Sequence, residues 1–99
     1  MINIGILGCA DIAKRFMIPN LIASGRFYLK AIASRSIEKA QSFSSIFSGE
    51  AIEGYDKLIN DPSIDAIYIP LPTGLHYEWI IKALKNGKHV ISEKSITQN

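Results

Sequence analysis

The sequence predicts an α/β fold, a doubly wound parallel sheet with helices on both faces. Short apolar runs alternate with stretches of helical periodicity along all 99 residues. Runs such as "INIGIL" (2–7) and "DAIYIP" (65–70) are apolar almost throughout, which is typical of strands buried on both faces. The connections between them are short, so consecutive units favour right-handed βαβ crossovers.

The first unit begins with a strand over residues 2–7, which ends at Gly8. Residues 11–24 then place apolar side chains at helical spacing. Pro19 lies inside this stretch and is expected to kink or divide the helix, because proline supplies no backbone N–H. A second strand is predicted over residues 27–34, which are rich in aromatic and aliphatic side chains.

The middle of the chain has weaker signals. A helix is predicted over residues 36–47, with Ser36 as its N-cap. A poorly marked strand follows over residues 51–53, and a brief helix over residues 55–60.

The last unit has the clearest signals. A buried strand is predicted over residues 65–70 and a long helix over residues 74–86. Thr73 is a candidate N-cap for this helix, and Gly87 lies where helices commonly end. The final strand is predicted over residues 89–93.

Composition excludes several classes of function. The net charge is +2 and the basic residues are spread along the chain, which gives no reason to expect nucleic acid or a membrane surface as a partner. The longest uncharged stretch, 66–77, is too short to span a bilayer, and no secretory signal precedes it. One cysteine and two histidines do not form a metal cluster of convincing spacing. The expected location is the cytoplasm.

Ligands of open parallel sheets bind beyond the carboxyl ends of the strands, so the residues there are the candidate site. "GCADIA" (8–13) follows the first strand and aligns with the dinucleotide-binding pattern G-x-G-x-x-G/A. Gly8 provides the tight turn, and Ala10 replaces the middle glycine with a side chain still small enough to approach a pyrophosphate. The alternative is a tight βα turn that binds nothing.

Two residues of this turn have competing interpretations. Asp11 is an acid favoured by the positive end of a helix, and its carboxylate is expected to point away from a phosphate. Cys9 could be a reactive thiol, because a helix N-terminus lowers a cysteine pKa. We favour the interpretation that Cys9 is a small residue packed beneath a cofactor.

"SRSIEK" follows the second strand, where NAD-binding folds place an acidic residue for the ribose 2′-hydroxyl. Here the chain has Ser34 and Arg35, with Lys39 one helical turn later. A hydroxyl and a guanidinium suit a 2′-phosphate, whereas a carboxylate would repel it. The sequence therefore predicts NADP rather than NAD. The alternative is that Arg35 and Lys39 are simply solvated.

Residues after the fourth and fifth strands complete the predicted edge. His76 lies in the first turn of the long helix, where it either lines the ligand or is a surface histidine. His89, at the opposite edge of the sheet, is expected to be structural. The cofactor-binding residues predicted at this edge are Gly8, Cys9, Ala10, Asp11, Ile12, Ser34, Arg35, Lys39, Leu71, Pro72, Thr73 and His76.

The motifs "IGILGCADIA", "IASRSIEKA" and "YDKLINDPSIDAIYIPLPTGLHYEWIIKALKNGKHVISEK" resemble the N-terminal, Rossmann-like domain of the Gfo/Idh/MocA oxidoreductases. Within that family the chain is similar to NADP-dependent 3-ketoreductases of nucleotide-linked deoxysugars. The resemblance implies that Glu93 lies at the nicotinamide ribose and that Lys94 is catalytic, contacting the substrate oxygen. It also implies a sugar or nucleotide-sugar substrate. Ser95 departs from the family pattern, which has proline there.

The same resemblance implies an incomplete enzyme. We expect residues 1–99 to form one truncated NAD(P)-binding domain, without the C-terminal substrate domain of the family and with little activity of its own. A homo-oligomer would have to use the exposed edge or face of the sheet. The alternatives are a non-catalytic nucleotide-binding or interaction module, and a methyltransferase that uses S-adenosylmethionine, against which Ser34 and Arg35 argue.

Overall fold

A computed structural model of the chain describes residues 1–9, 17–70 and 73–91, and the side chains of residues 73–76 lie outside that description. The described residues form a sheet of five parallel strands in the order β3-β2-β1-β4-β5. The strands are β1 (Ile2–Leu7), β2 (Phe27–Ser34), β3 (Glu50–Glu53), β4 (Ala66–Tyr68) and β5 (His89–Ile91). The predicted α/β class and parallel sheet are confirmed.

Four helices connect these strands within the described ranges. They are α1 (Ile18–Ala23), α2 (Ile37–Phe47), α3 (Tyr55–Ile59) and α4 (Thr73–Lys85). None of them is long and apolar enough to cross a membrane. Pro19 lies in the first turn of α1, where a missing N–H costs nothing. The kink or division predicted there concerns a helix over residues 11–24, of which residues 11–16 lie outside the described residues.

Local capping explains where two of the helices begin and end. Ser36 has an extended backbone, and its Oγ accepts a hydrogen bond from the Lys39 N–H at 3.4 Å, as predicted for an N-cap. Gly87 ends α4 with φ +76°, a conformation that glycine adopts without steric cost. Helix α4 begins at Thr73, one residue earlier than expected, and the Thr73 side chain that was predicted to cap it lies outside the described residues.

Each face of the sheet buries an apolar cluster. The face covered by α3 and α4 contains Leu7, Ala31, Ala33, Tyr55, Leu58, Ile59, Ile64, Ile67, Ile69, Trp79 and Ala83. The face covered by α1 and α2 contains Ile4, Ile6, Ile18, Leu29, Ile32, Phe43, Ala66 and Tyr68. The predicted double-sided burial follows from strands that are apolar on both faces.

The strand order fixes where a ligand can bind. The chain runs from β1 outward to β3 and then returns to pair β4 with the other side of β1. The strand order therefore reverses between β1 and β4. The crossover from β1 to β2 runs over one face of the sheet, and the crossover from β3 to β4 runs over the opposite face. In open α/β sheets this reversal opens a crevice at the carboxyl ends of the strands. Gly8 and Cys9 follow β1 at this point.

Candidate functional site

Gly8, with which the predicted turn after β1 begins, has the backbone conformation expected of a tight turn. Gly8 is buried and has φ 110°, a conformation that residues with a side chain rarely adopt. Its N–H donates to the carbonyl oxygen of Ala33 at 2.9 Å, which ties the end of β1 to the end of β2. The glycine therefore lets the chain leave the sheet sharply at the reversal of strand order.

Ser34 ends β2 and bonds to the loops beside it. Its side chain is only 5% exposed, and its Oγ accepts a hydrogen bond from the Ser36 N–H at 3.2 Å. Its carbonyl oxygen accepts from the Gly54 N–H at 2.8 Å, which ties the ends of β2 and β3 together. Because this hydroxyl is buried and hydrogen-bonded, it helps to shape the edge of the sheet and exposes little surface to a ligand.

Cys9 is half-buried at the end of β1 and packs against the cluster beneath α1 and α2. Burial raises the pKa of its thiol, and this outweighs a side-chain hydrogen bond with Ser34 and the positive charge of Lys39, which both lower it. The thiol therefore stays protonated at neutral pH. This favours the interpretation of Cys9 as a packing residue over that of a reactive nucleophile.

Two cations lie at the carboxyl end of β2. Arg35 and Lys39 are both exposed, and Lys39 is close enough for its charge to lower the Cys9 pKa. The ion pair found within the described ranges joins Lys82 and Glu78, so neither of the two cations is neutralised by a carboxylate of those ranges. They form a basic patch beside the Gly8 turn that no carboxylate of the described residues neutralises, and an anionic group would be favoured there.

Tyr55 is a site residue that the sequence analysis missed. It begins α3 directly after β3, and its ring centroid lies 5.9 Å from the Arg35 Cζ. Burial raises the pKa of its hydroxyl; the charge of Arg35 lowers that pKa and the charge of Cys9 raises it, so all three groups share one neighbourhood. The available signal was its position, because a residue that follows a parallel strand lies at the same edge as the others.

Much of the predicted pyrophosphate turn and of the predicted nicotinamide side falls outside the described residues. From the turn these are Ala10, Asp11 and Ile12, and from the nicotinamide side Leu71, Pro72, Glu93 and Lys94. Thr73 and His76 belong to α4, but their side chains are not among those described. Within the described ranges no group of three or more His, Cys, Asp or Glu residues could hold a metal ion.

A cleft of about 490 Å³ lies at the opposite, amino edge of the sheet and contains none of the predicted site residues. It is lined by Ile2, Pro62, Ile64, Asp65, Asn86, Gly87, Lys88 and His89. The Lys88 amine already has hydrogen-bond partners, because it donates to the carbonyl oxygens of Asp61 and Ile64 at 2.5 and 2.8 Å. His89 lies at this edge, as expected from the sequence. We assign this cleft a structural origin, in the packing of the turn after α4 against the 61–65 loop.

Comparison with known proteins identifies the family. Residues 2–99 match the family described as "Oxidoreductase family, NAD-binding Rossmann fold", which confirms the resemblance seen in the motifs. A dTDP-3,4-didehydro-2,6-dideoxy-α-D-glucose 3-reductase from Actinomadura kijaniata is 48% identical over 96 residues, 97% of this chain and 29% of that protein. A D-xylose 1-dehydrogenase (NADP⁺) from Haloferax volcanii is 42% identical over 94 residues, 94% of this chain and 29% of that protein.

The fold of the chain also resembles solved structures of known proteins. The crystal structure of a 3-ketoreductase from A. kijaniata in complex with NADP superposes with a TM-score of 0.89 and 47% identity, covering 92% of this chain and 29% of that chain. An oxidoreductase from Thermotoga maritima superposes with a TM-score of 0.85 at 33% identity. The chain therefore spans less than a third of the length of these relatives, at 29% for the reductase.

Proposed function

The chain belongs to the oxidoreductase family with an NAD-binding Rossmann fold, and from this premise we propose that it is the NADP-binding part of a sugar oxidoreductase. The complete enzyme would transfer hydride between the nicotinamide and a carbonyl or secondary alcohol. The names of its relatives support this class, since one reduces a dTDP-linked keto sugar and another oxidises xylose with NADP⁺.

The observation that carries the choice of cofactor is the patch formed by Arg35 and Lys39. Both cations lie beside the Gly8 turn, and no carboxylate of the described residues pairs with either. A guanidinium can bind a phosphate through two parallel hydrogen bonds, and Arg35 would break no ion pair of the described residues by doing so. The 2′-phosphate of NADP is the group that distinguishes it from NAD, and these residues fit it.

The remaining roles follow the predicted edge. Gly8, Ala10 and Ile12 would approach the pyrophosphate through backbone N–H groups at a helix start. Leu71, Pro72, Thr73 and His76 would line the nicotinamide side, with Glu93 at its ribose. NADP would supply the hydride or accept it. Lys94 would donate or orient a proton at the substrate oxygen, and as an ammonium it would stabilise negative charge there.

We also propose a nucleotide-linked deoxysugar as the substrate, because the 48% identical relative is named for one. The 99 residues alone would turn over little or none of it, since they correspond to 29% of that relative. Any self-association would use the open edge or an uncovered face of the sheet.

The test is a fluorescence titration of the chain with NADPH and with NADH. We expect NADPH to bind more tightly, and Arg35→Ala to weaken NADPH while leaving NADH unchanged. Arg26→Ala is the matched control, because Arg26 is also exposed but lies just before the other end of β2. Equal binding of the two cofactors, or equal losses in the two variants, would overturn the proposal.

A further inference from the structure

Tyr55 is held in one orientation by its surroundings. Its side chain is 9% exposed and its ring packs edge-to-face against Trp79 of α4, with centroids 5.1 Å apart and planes at 85°. Trp79 is itself 9% exposed and belongs to the same apolar cluster. A ring fixed between two helices is a rigid surface against which a mobile side chain can rest.

Arg35 is the side chain that approaches this ring. It is exposed, and its Cζ lies 5.9 Å from the Tyr55 ring centroid, within the range of a cation–π contact. No carboxylate of the described residues pairs with its guanidinium, and Tyr55 supplies the contact that the structure records for it. Unlike an ion pair, this contact leaves the five N–H donors of the guanidinium free for an anion.

We propose that Tyr55 is a positioning residue that holds the Arg35 guanidinium for the 2′-phosphate, and so sets the preference for NADP over NAD. This inference rests on the proposed function, because it presumes that Arg35 binds the phosphate. The ring, rather than the hydroxyl, is the part that acts, since the negative face of the aromatic system attracts the cation. NADH carries no 2′-phosphate, so its binding does not depend on how Arg35 is held.

The experiment measures the dissociation constants of NADPH and NADH for the wild-type chain, Tyr55→Phe, Tyr55→Leu, Arg35→Ala and the Tyr55→Leu/Arg35→Ala double variant. Tyr55→Leu should weaken NADPH about two- to fivefold, the range of an exposed cation–π contact, and leave NADH unchanged. Tyr55→Phe should retain the wild-type preference. In the Arg35→Ala background the Tyr55→Leu change should have no further effect on the preference.

Because Tyr55 is buried, Tyr55→Leu could disturb folding, and a second series avoids this. Phenylalanine analogues with increasing numbers of ring fluorines at position 55 keep the shape of the ring while weakening its negative face. NADPH affinity should then fall stepwise with fluorine number, and NADH affinity should not. A structural role for Tyr55 would change neither affinity across this series, or both together.

The outcomes separate the two proposals. A wild-type chain that does not prefer NADPH would defeat the proposed function, whatever Tyr55 does. If wild type prefers NADPH but the fluorine series leaves the preference intact, the positioning role is overturned. A Tyr55→Phe variant that loses as much NADPH affinity as Tyr55→Leu would also overturn it, because the hydroxyl would then be the group that matters.

Discussion

Replacing Gly5 by alanine should destabilise the protein through one identifiable contact. A Cβ built on Gly5 would lie 2.7 Å from the Leu58 Cδ1 and 3.1 Å from the Leu58 Cγ. Leu58 is fully buried in the cluster under α3 and α4, so its side chain has no free space into which to rotate. The added methyl must therefore push α3 away from β1, and α3 is the helix that begins at Tyr55.

The size of the effect follows from two opposing contributions. Overpacking by one methyl costs about 1–3 kcal/mol. Replacing a strand glycine by alanine stabilises the folded state by about 0.4–1 kcal/mol, because alanine restricts the unfolded chain. This gain applies at Gly5, since its φ is not positive and alanine adopts it without strain. The expected net loss in the free energy of unfolding is therefore about 1–2 kcal/mol, a large share of the stability of a small domain.

The assay is urea unfolding followed by the fluorescence of Trp79, the single tryptophan of the chain. The contact is isolated by measuring Gly5→Ala in both wild-type and Leu58→Ala backgrounds. In the second background the clashing atoms are gone, so the substitution should be neutral or stabilising. Gly25→Ala is the control, because it strains a backbone at φ +74° with no atom within 4 Å and so should cost the same in both backgrounds. An equal cost of Gly5→Ala in the two backgrounds would refute the reasoning.

Three further predictions concern single side chains. Ser36→Ala should lower the free energy of unfolding by about 1 kcal/mol, because the N-cap hydrogen bond at the start of α2 is lost. Ser42→Ala is the control: Ser42 is exposed inside the same helix, so its replacement should not lower the free energy of unfolding. Equal losses in the two variants would contradict the capping role of Ser36. Alkylation of Cys9 at neutral pH should be slower than that of an unstructured thiol, and its rate should still be rising at pH 9.0, because burial raises the thiol pKa above that ordinary value; rapid reaction at pH 7 would contradict this. Hydrogen bonds from Ser63 hold the pKa of the Asp61 carboxyl below its ordinary value, so Ser63→Ala should raise the pKa seen by NMR titration. The contribution of Asp61 to stability is present above pH 3.8 and is lost as the pH falls through the lowered pKa. The backbone N–H of residue 63 remains in the variant, so an unchanged titration would show that the Ser63 hydroxyl does not lower this pKa.

Periodicity predicted the scaffold well because the strands are buried on both faces. The apolar runs 2–7 and 27–34 are observed as β1 and β2 with unchanged bounds. The weak strand at 51–53 is observed as Glu50–Glu53, although its only apolar residues are Ala51 and Ile52. Parallel pairing with β2 stabilises this strand. The pattern of its own four residues does not show that such a partner exists.

The side-chain contacts of the site could not be predicted from spacing. The spacing of the sequence did not show that Ser34, a predicted phosphate ligand, is buried and accepts a hydrogen bond from the Ser36 N–H. Tyr55 was assigned only as the start of a helix, because its contact with Arg35 joins loops 20 residues apart. The hydrogen bonds from Lys88 to the carbonyl oxygens of Asp61 and Ile64 likewise depend on how the turn after α4 packs against the loop before β4, which no local pattern shows.

The most direct test of the account is the ratio of NADPH to NADH affinity in the wild-type chain and in Arg35→Asp. The account predicts that wild type favours NADPH. In Arg35→Asp a carboxylate replaces the guanidinium, which repels a 2′-phosphate and can accept a hydrogen bond from a 2′-hydroxyl. The preference should therefore reverse toward NADH. An unchanged ratio would mean that Arg35 does not bind the cofactor, and the assignment of NADP from this edge of the sheet would be wrong.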